Sequence, residues 1–268
     1  MSAWRWLRGT VCVLVTIYMV APLAIVVIIS FSSAAFLQFP PPGLSLQWYQ
    51  KAATNPGWLH SLAISVQVTL PAALLATLLG TAAALGLSRG RFPGARAIAA
   101  LLMAPMIVPT IIIAAAVFAL AQRWGLYGTI AGLVLGHTLL TIPYVTATTL
   151  TALETVDRGL EQAALTLGAT PWKAFWRITL PLMLPGVLSG LLFAMVISFD
   201  ELIVSLFLST PEVLPVTVHM WSDVRGDVDP TISAVATLLF VFSLVVLLAE
   251  GALRRRSQPA EAIVRPAL

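Results

Sequence analysis

Six stretches of this chain contain no Asp, Glu, Lys or Arg: Gly9–Gln50, Ala52–Ser88, Ala97–Gln122, Trp124–Leu153, Ile178–Phe199 and Thr231–Ala249. Each is about 20 residues or longer, enough for a helix to cross a hydrocarbon core of roughly 30 Å. Of the 268 residues, 59% are hydrophobic and only 10% charged, which leaves too little polar surface to clothe a soluble core. The chain reads as an all-α integral membrane protein.

Six transmembrane helices are predicted, at Thr10–Phe31, Ser61–Leu87, Ala97–Ala121, Tyr127–Leu150, Leu182–Leu208 and Thr231–Ala249. The first follows Arg5 and Arg8, as a signal peptide would, but it exceeds an h-region in length and no small-residue cleavage pattern follows before Phe31. It is expected to stay as an anchor. The lone Cys12 within it can form neither an internal disulfide nor a metal cluster and reads as a small buried apolar residue.

Lysines and arginines set the orientation. With both termini cytoplasmic, the inner segments hold Arg5, Arg8, Arg89, Arg91, Arg96, Arg158, Lys173, Arg177, Arg254, Arg255, Arg256 and Arg265, twelve of the fifteen; Lys51, Arg123 and Arg225 lie outside. The predicted organisation is a transmembrane domain over residues 1–250, with a cytoplasmic loop at 151–181, and a cytoplasmic tail at 251–268. The aperiodic stretch Ser257–Leu268, with Pro259 and Pro266, is expected to be disordered. Pro105 and Pro109 fall one turn apart in the third span and Pro143 interrupts the fourth, which bilayer helices tolerate when neighbours satisfy the freed carbonyls. Gly128, Gly132 and Gly136 in the fourth span, and Gly186 and Gly190 in the fifth, are spaced for close backbone approach.

The loop between spans four and five is no ordinary connector. Charged residues (Glu154, Asp157, Arg158, Glu161, Lys173 and Arg177) are scattered among apolar ones. The pattern predicts a helix over Val156–Leu167, stopped at Gly168 by a left-handed cap. A second helix should start at Pro171 with Thr170 as N-cap and an apolar face of Trp172, Phe175, Trp176 and Ile178. Such a face suits docking into a groove of another protein, and equally suits burial at the lipid headgroups.

Gln162-Ala163-Ala164, then Gly168, then Ile178-x-Leu180-Pro181 resembles the EAA loop of permeases from binding-protein-dependent ABC importers. The resemblance implies the type I ABC importer permease fold. It also implies that Glu161, Gln162, Ala163, Ala164, Gly168, Ala169, Trp172, Phe175, Ile178, Leu180 and Pro181 form a coupling helix fitting a cleft in an ATPase subunit. Gln162 stands where the family usually has glutamate, with Glu161 adjacent. The implied partners are two ATP-binding-cassette ATPases, a second homologous permease, an extracytoplasmic solute-binding protein and the bilayer, in the bacterial inner membrane; nucleic acid is not among them. No GxxxxGK[ST] phosphate loop occurs, so ATP and its Mg²⁺ are expected on the partner ATPase, and this chain is expected to be no enzyme, with no cofactor or catalytic residue. His60, His137 and His219 are widely separated, and no metal site is expected. His137 lies within a span, where ionisable residues are often functional but a neutral imidazole is also cheap to bury.

Asp200 and Glu201 interrupt the apolar fifth span, at a cost of a few kcal/mol each unless they meet water or a partner. Asp200 lies about 27 Å beyond Leu182 along a helix, in the outer half of the membrane. Two readings fit: an acidic collar on the translocation path of a cationic solute, or an anchor at a helix break with Asp200 capping the segment Glu201–Leu208. The run Phe193–Leu248, with Ser198-Phe199-Asp200-Glu201, Leu214-Pro215 and Ala234-Val235-Ala236-Thr237, resembles the second permease of spermidine/putrescine importers. So does Leu44–Tyr49. This resemblance implies a polyamine as solute, with another organic cation, an anion such as a phosphonate, an amino-acid derivative or a metal ion as alternatives. By the same resemblance the outer loop Ser209–Asp229, with Glu212, Asp223, Asp227 and Asp229, faces the binding protein; a solvated acidic loop is the other reading. A secondary transporter would need coupling ions and usually inverted repeats, which are not evident. A rhomboid-like protease would need a serine in a setting that Ser189 and Ser198 lack.

Overall fold

The computed structural model describes residues 2–90, 92–226 and 229–257. Arg91, Asp227 and the tail from Gln258 onward lie outside the described residues, and with them the expectation of a disordered tail. Among the described residues five helices are long and apolar enough to cross a bilayer, or six if a pair bent by 102° counts as one span. The chain divides into two compact units, Met1–His60 with His219–Phe242, and Ser61–Val218 with Ser243–Leu268.

The first unit contains α1 (Ser2–Ser30), α2 (Gln47–Thr54), the first turn of α3 (Pro56–Arg89), the end of α11 (Val216–Arg225) and the start of α12 (Thr231–Ser257). The described side chains of α1 are exposed along almost its whole length. Cys12, expected to be buried, is exposed with them. Beyond α1, Ser30 Oγ meets Tyr49 Oη at 2.7 Å and Trp48 Nε1 donates to Ser32 O at 2.8 Å, fixing α2 against the turn. Trp58 is buried and stacks on His219 with ring centroids 4.1 Å apart. Asp229 pairs with Lys51 and caps α12, its Oδ1 accepting from Thr231 N at 2.8 Å and Thr231 Oγ1 at 2.7 Å. Partial burial works against the Asp229 charge, yet Lys51 and the two Thr231 donors hold its carboxyl below the usual carboxylate range.

The second unit is organised around α6 (Ile130–Glu154), which buries Leu133, His137, Thr141, Val145 and Thr149. Pro143 does not break it. Its neighbour α9 (Leu180–Asp200) approaches closely at Gly186, where a Cβ would come within 2.3 Å of Ala152 Cβ. Of the three glycines expected on one face of this span, Gly128 lies outside the helix, in a left-handed turn at φ +70°. The third span also departs from expectation. α4 (Ala95–Met103) runs through a 3₁₀ turn, Ala104–Met106, and α5 (Thr110–Trp124) then departs at 102°. Pro109, at φ −53° and ψ 129°, has no N–H to continue a ladder and restricts Val108 before it, so the two prolines break the span rather than kink it. Residues of α5 return to the core, where Ile113, Ala114 and Ala121 pack with Val68 and Leu133.

Candidate functional site

The loop after α6 folds as two short helices, for reasons local to its sequence. Asp157 Oδ1 accepts from Gly159 N at 2.7 Å and caps α7 (Arg158–Thr166), which therefore begins two residues later than expected. At its other end Gly168 adopts φ +87°, and Ala169 N closes on Ala164 O at 2.9 Å. Thr170 Oγ1 accepts from Lys173 N at 3.3 Å, with Pro171 opening α8 (Pro171–Ala174). The loop, predicted to end at Pro181 where the fifth span begins, has already merged with that span's helix before this residue. A π-helical segment, Phe175–Thr179, carries α8 straight into α9, and Leu180 N bonds to Phe175 O five residues back. Pro181 cannot donate to Arg177 O and its ring crowds that carbonyl; the wider turn before it absorbs the mismatch.

The aromatic face divides. Phe175 and Leu180 turn inward against the cluster of Ala84, Leu153 and Met183, whereas Trp172 and Trp176 are 70% and 49% exposed and pack edge to face at 5.5 Å. Leu167, at the tip before Gly168, is 88% exposed. Gln162 and Ala163 are exposed, Ala164, Ala169 and Ile178 half-buried, and Pro181 exposed.

Glu161 points the other way. Its Oε1 accepts from Arg89 Nη2 at 2.6 Å and from the Thr179 hydroxyl, so one carboxylate oxygen joins α3, α7 and the π segment. A second arginine repeats the link, Arg158 Nη2 donating to Ser88 O at 2.6 Å. A groove of about 260 Å³, lined by Leu85, Leu165, Pro171 and Phe175, lies beside the ion pair. Sequence reasoning missed Arg89, Arg158 and Thr179 as partners of the loop; Arg89 entered it only through the orientation count, Arg158 only through that count and as one of the charges scattered in the loop, and no local pattern marks Thr179.

The acidic pair of the fifth span is also divided. α9 ends at Asp200, Glu201 is extended, and α10 (Ile203–Leu208) follows. The cap at this break is Glu201, whose Oε1 accepts from Val204 N at 2.8 Å; Asp200, the cap in one of the two sequence readings, is exposed. Glu201 O accepts from Ser205 Oγ at 2.8 Å and Thr217 Oγ1 at 3.1 Å. His137 bridges the break from α6, with Nδ1 2.9 Å from Ser198 Oγ on α9 and Nε2 3.0 Å from Ser205 Oγ on α10. Among the described residues no three of His, Cys, Asp or Glu are grouped to hold a metal ion.

Long apolar helices, a capped helical loop and a span broken at a buried polar network are features of an integral membrane protein. The chain belongs to the family described as the binding-protein-dependent transport system inner membrane component, whose model matches residues 76–258. It is 33% identical over 229 residues to the putrescine transport system permease protein PotI of Escherichia coli, covering 83% of this chain and 81% of that one. To the spermidine/putrescine transport system permease protein PotC of Haemophilus influenzae it is 33% identical over 254 residues, covering 94% and 98%. The molybdenum transport system permease protein ModB of Mycobacterium bovis is 31% identical over 213 residues, covering 74% and 81%. A bacterial ABC transporter involved in import of the acidic polysaccharide alginate shares the fold, with a TM-score of 0.71 at 14% identity over 94% of this chain and 96% of that one. The chain is thus an ABC importer permease with the type I fold.

Proposed function

We propose that this permease works with a second homologous permease, two ATP-binding-cassette ATPases and an extracytoplasmic solute-binding protein, and that the tip Gln162–Trp176 seats in the ATPase. The observation that carries this reading is the divided loop: Leu167, Trp172 and Trp176 are exposed, while Phe175 and Leu180 root the same segment in the bundle. Large apolar side chains held out on a rooted helix suit a protein groove. ATP and Mg²⁺ belong to the partner. Solute then crosses the inner membrane by alternating access as the ATPases close and open. Both termini are cytoplasmic, residues 1–250 form the permease domain, and 251–268 the tail.

A polyamine such as spermidine or putrescine is the proposed solute. The similarity to PotC and PotI supports it, as does Asp200, a carboxylate exposed at the break in the fifth span. The likeness to ModB favours a molybdenum-containing solute as the second reading. ATP-driven uptake into proteoliposomes containing the full complex, measured with radiolabelled spermidine, putrescine and molybdate, separates the two. Uptake of either polyamine alone is expected; uptake of molybdate alone would replace the first reading with the second.

A further inference from the structure

Glu161 sits in the segment that the resemblance assigns to ATPase docking, yet its carboxylate is engaged inside the chain. Both members of its ion pair are about three-quarters covered, with side-chain exposures of 25% for Arg89 and 23% for Glu161. Thr179 donates to the same oxygen. Seventy-two residues separate Arg89 from Glu161, and seventy separate Ser88 from Arg158, so the last turn of α3 is bound twice to a loop remote in sequence. The two bridges emanate from opposite partners: one arginine belongs to α3 and the other to α7. A covered, charge-assisted pair with a third donor holds its geometry far better than a solvated surface pair.

We propose that Glu161 is a positioning residue rather than a docking residue, and that the Arg89–Glu161–Thr179 clasp makes the end of α3 and the coupling loop one rigid body. This rests on the coupling role given to the loop above. Movement imposed on Leu167, Trp172 and Trp176 then reaches the bundle by two routes: directly along the π segment into α9, and through the clasp into α3. Ala84 and Leu85 of α3 also pack with Phe175 and Leu180 beside the adjoining groove, so the clasp adds a polar tie to an apolar contact.

The test uses the full complex in nanodiscs, in a Cys12→Ser background. Arg89→Glu and Glu161→Arg each place like charges together, and both are expected to lower binding-protein-stimulated ATP hydrolysis by about tenfold, within the range of couplings between distant sites. The ATPase subunits should still co-purify, because Glu161 is engaged within the chain while Leu167, Trp172 and Trp176 stay exposed. Combining the two substitutions should restore most of the stimulation, which a loss of fold would not allow. Independently, Arg89→Cys with Glu161→Cys, joined by a short reducible thiol cross-linker, should retain stimulated hydrolysis. A double exchange no better than its parents, or a cross-link that abolishes stimulation until reduced, would overturn the clasp. Failure of the unmodified chain to retain any ATPase would instead sink the coupling role itself.

Discussion

Gly168 has open space where a Cβ would project, with nothing within 4 Å, but its φ of +87° is unfavourable for any side chain. The penalty is in the backbone, at roughly 1–2 kcal/mol for an ordinary L-residue. Gly168→Val should therefore shift the tip of α7 out of register and cut uptake by about tenfold, a figure that follows from about 1.4 kcal/mol. Gly168→Asn, which tolerates the left-handed region, should keep most of it, and solute binding to the external protein should be unchanged in both. Uptake that is normal in the Val variant would remove Gly168 from the coupling loop. His137 is the other single residue on which much converges. With 2% exposure and a hydroxyl within 3.0 Å of each ring nitrogen, both of its polar atoms are engaged. His137→Phe removes one hydrogen-bond partner from each hydroxyl, with Glu201 O still accepting from Ser205 and Thr69 Oγ1 from Ser198, and should cost about 1 kcal/mol. The expected readout is a lower melting temperature of the purified complex, partly recovered in His137→Gln. No loss of stability in the Phe variant would show that the bridge across the break is dispensable.

Among the helices, ends and breaks carry more information than lengths. α12 begins at Thr231 because Asp229 satisfies its first donors while pairing with Lys51. Replacing Asp229 with Ala should cost about 1 kcal/mol at neutral pH, the usual value of an N-cap. Since its folded carboxyl is held below the unfolded value, the contribution is complete above the ordinary carboxylate range and is lost as pH falls through the folded value. The difference in melting temperature between wild type and Asp229→Ala should thus be full at pH 7 and shrink below about pH 4. A difference that persists at lower pH would mean that the Asp229 charge is not what caps α12. The caps at Gly168 and Thr170 were legible in the sequence because each acts on backbone a few residues away. The 102° break at Pro109 and the π turn before Pro181 were not, because a proline says only that a ladder bond is missing. Whether the helix kinks, breaks or widens depends on what packs beside it. The exchange of roles between Asp200 and Glu201 has the same origin: two adjacent acids look alike until α9 stops between them.

At the scale of the whole molecule, six spans and the family could be read from charge-free runs and one loop motif, since both are properties of the chain alone. The Arg89–Glu161 link could not, because it joins residues seventy-two apart through a fold that the motif does not describe. Orientation is proposed from the placement of basic residues alone, and it can be tested directly. Twelve of fifteen basic residues lie on the side assigned to the cytoplasm, and inverting the chain would carry most of them across the bilayer. In a Cys12→Ser background, a single cysteine at Leu167, in the tip that is 88% exposed, should react with a membrane-impermeant maleimide in inverted vesicles and stay unlabelled in intact spheroplasts. A cysteine at Leu46, 57% exposed in the segment before α2, should behave oppositely. Labelling of the Leu167 position from outside would place the coupling tip where no cytoplasmic ATPase could reach it. The alternating-access mechanism would then lose its source of motion, however well the fold matched.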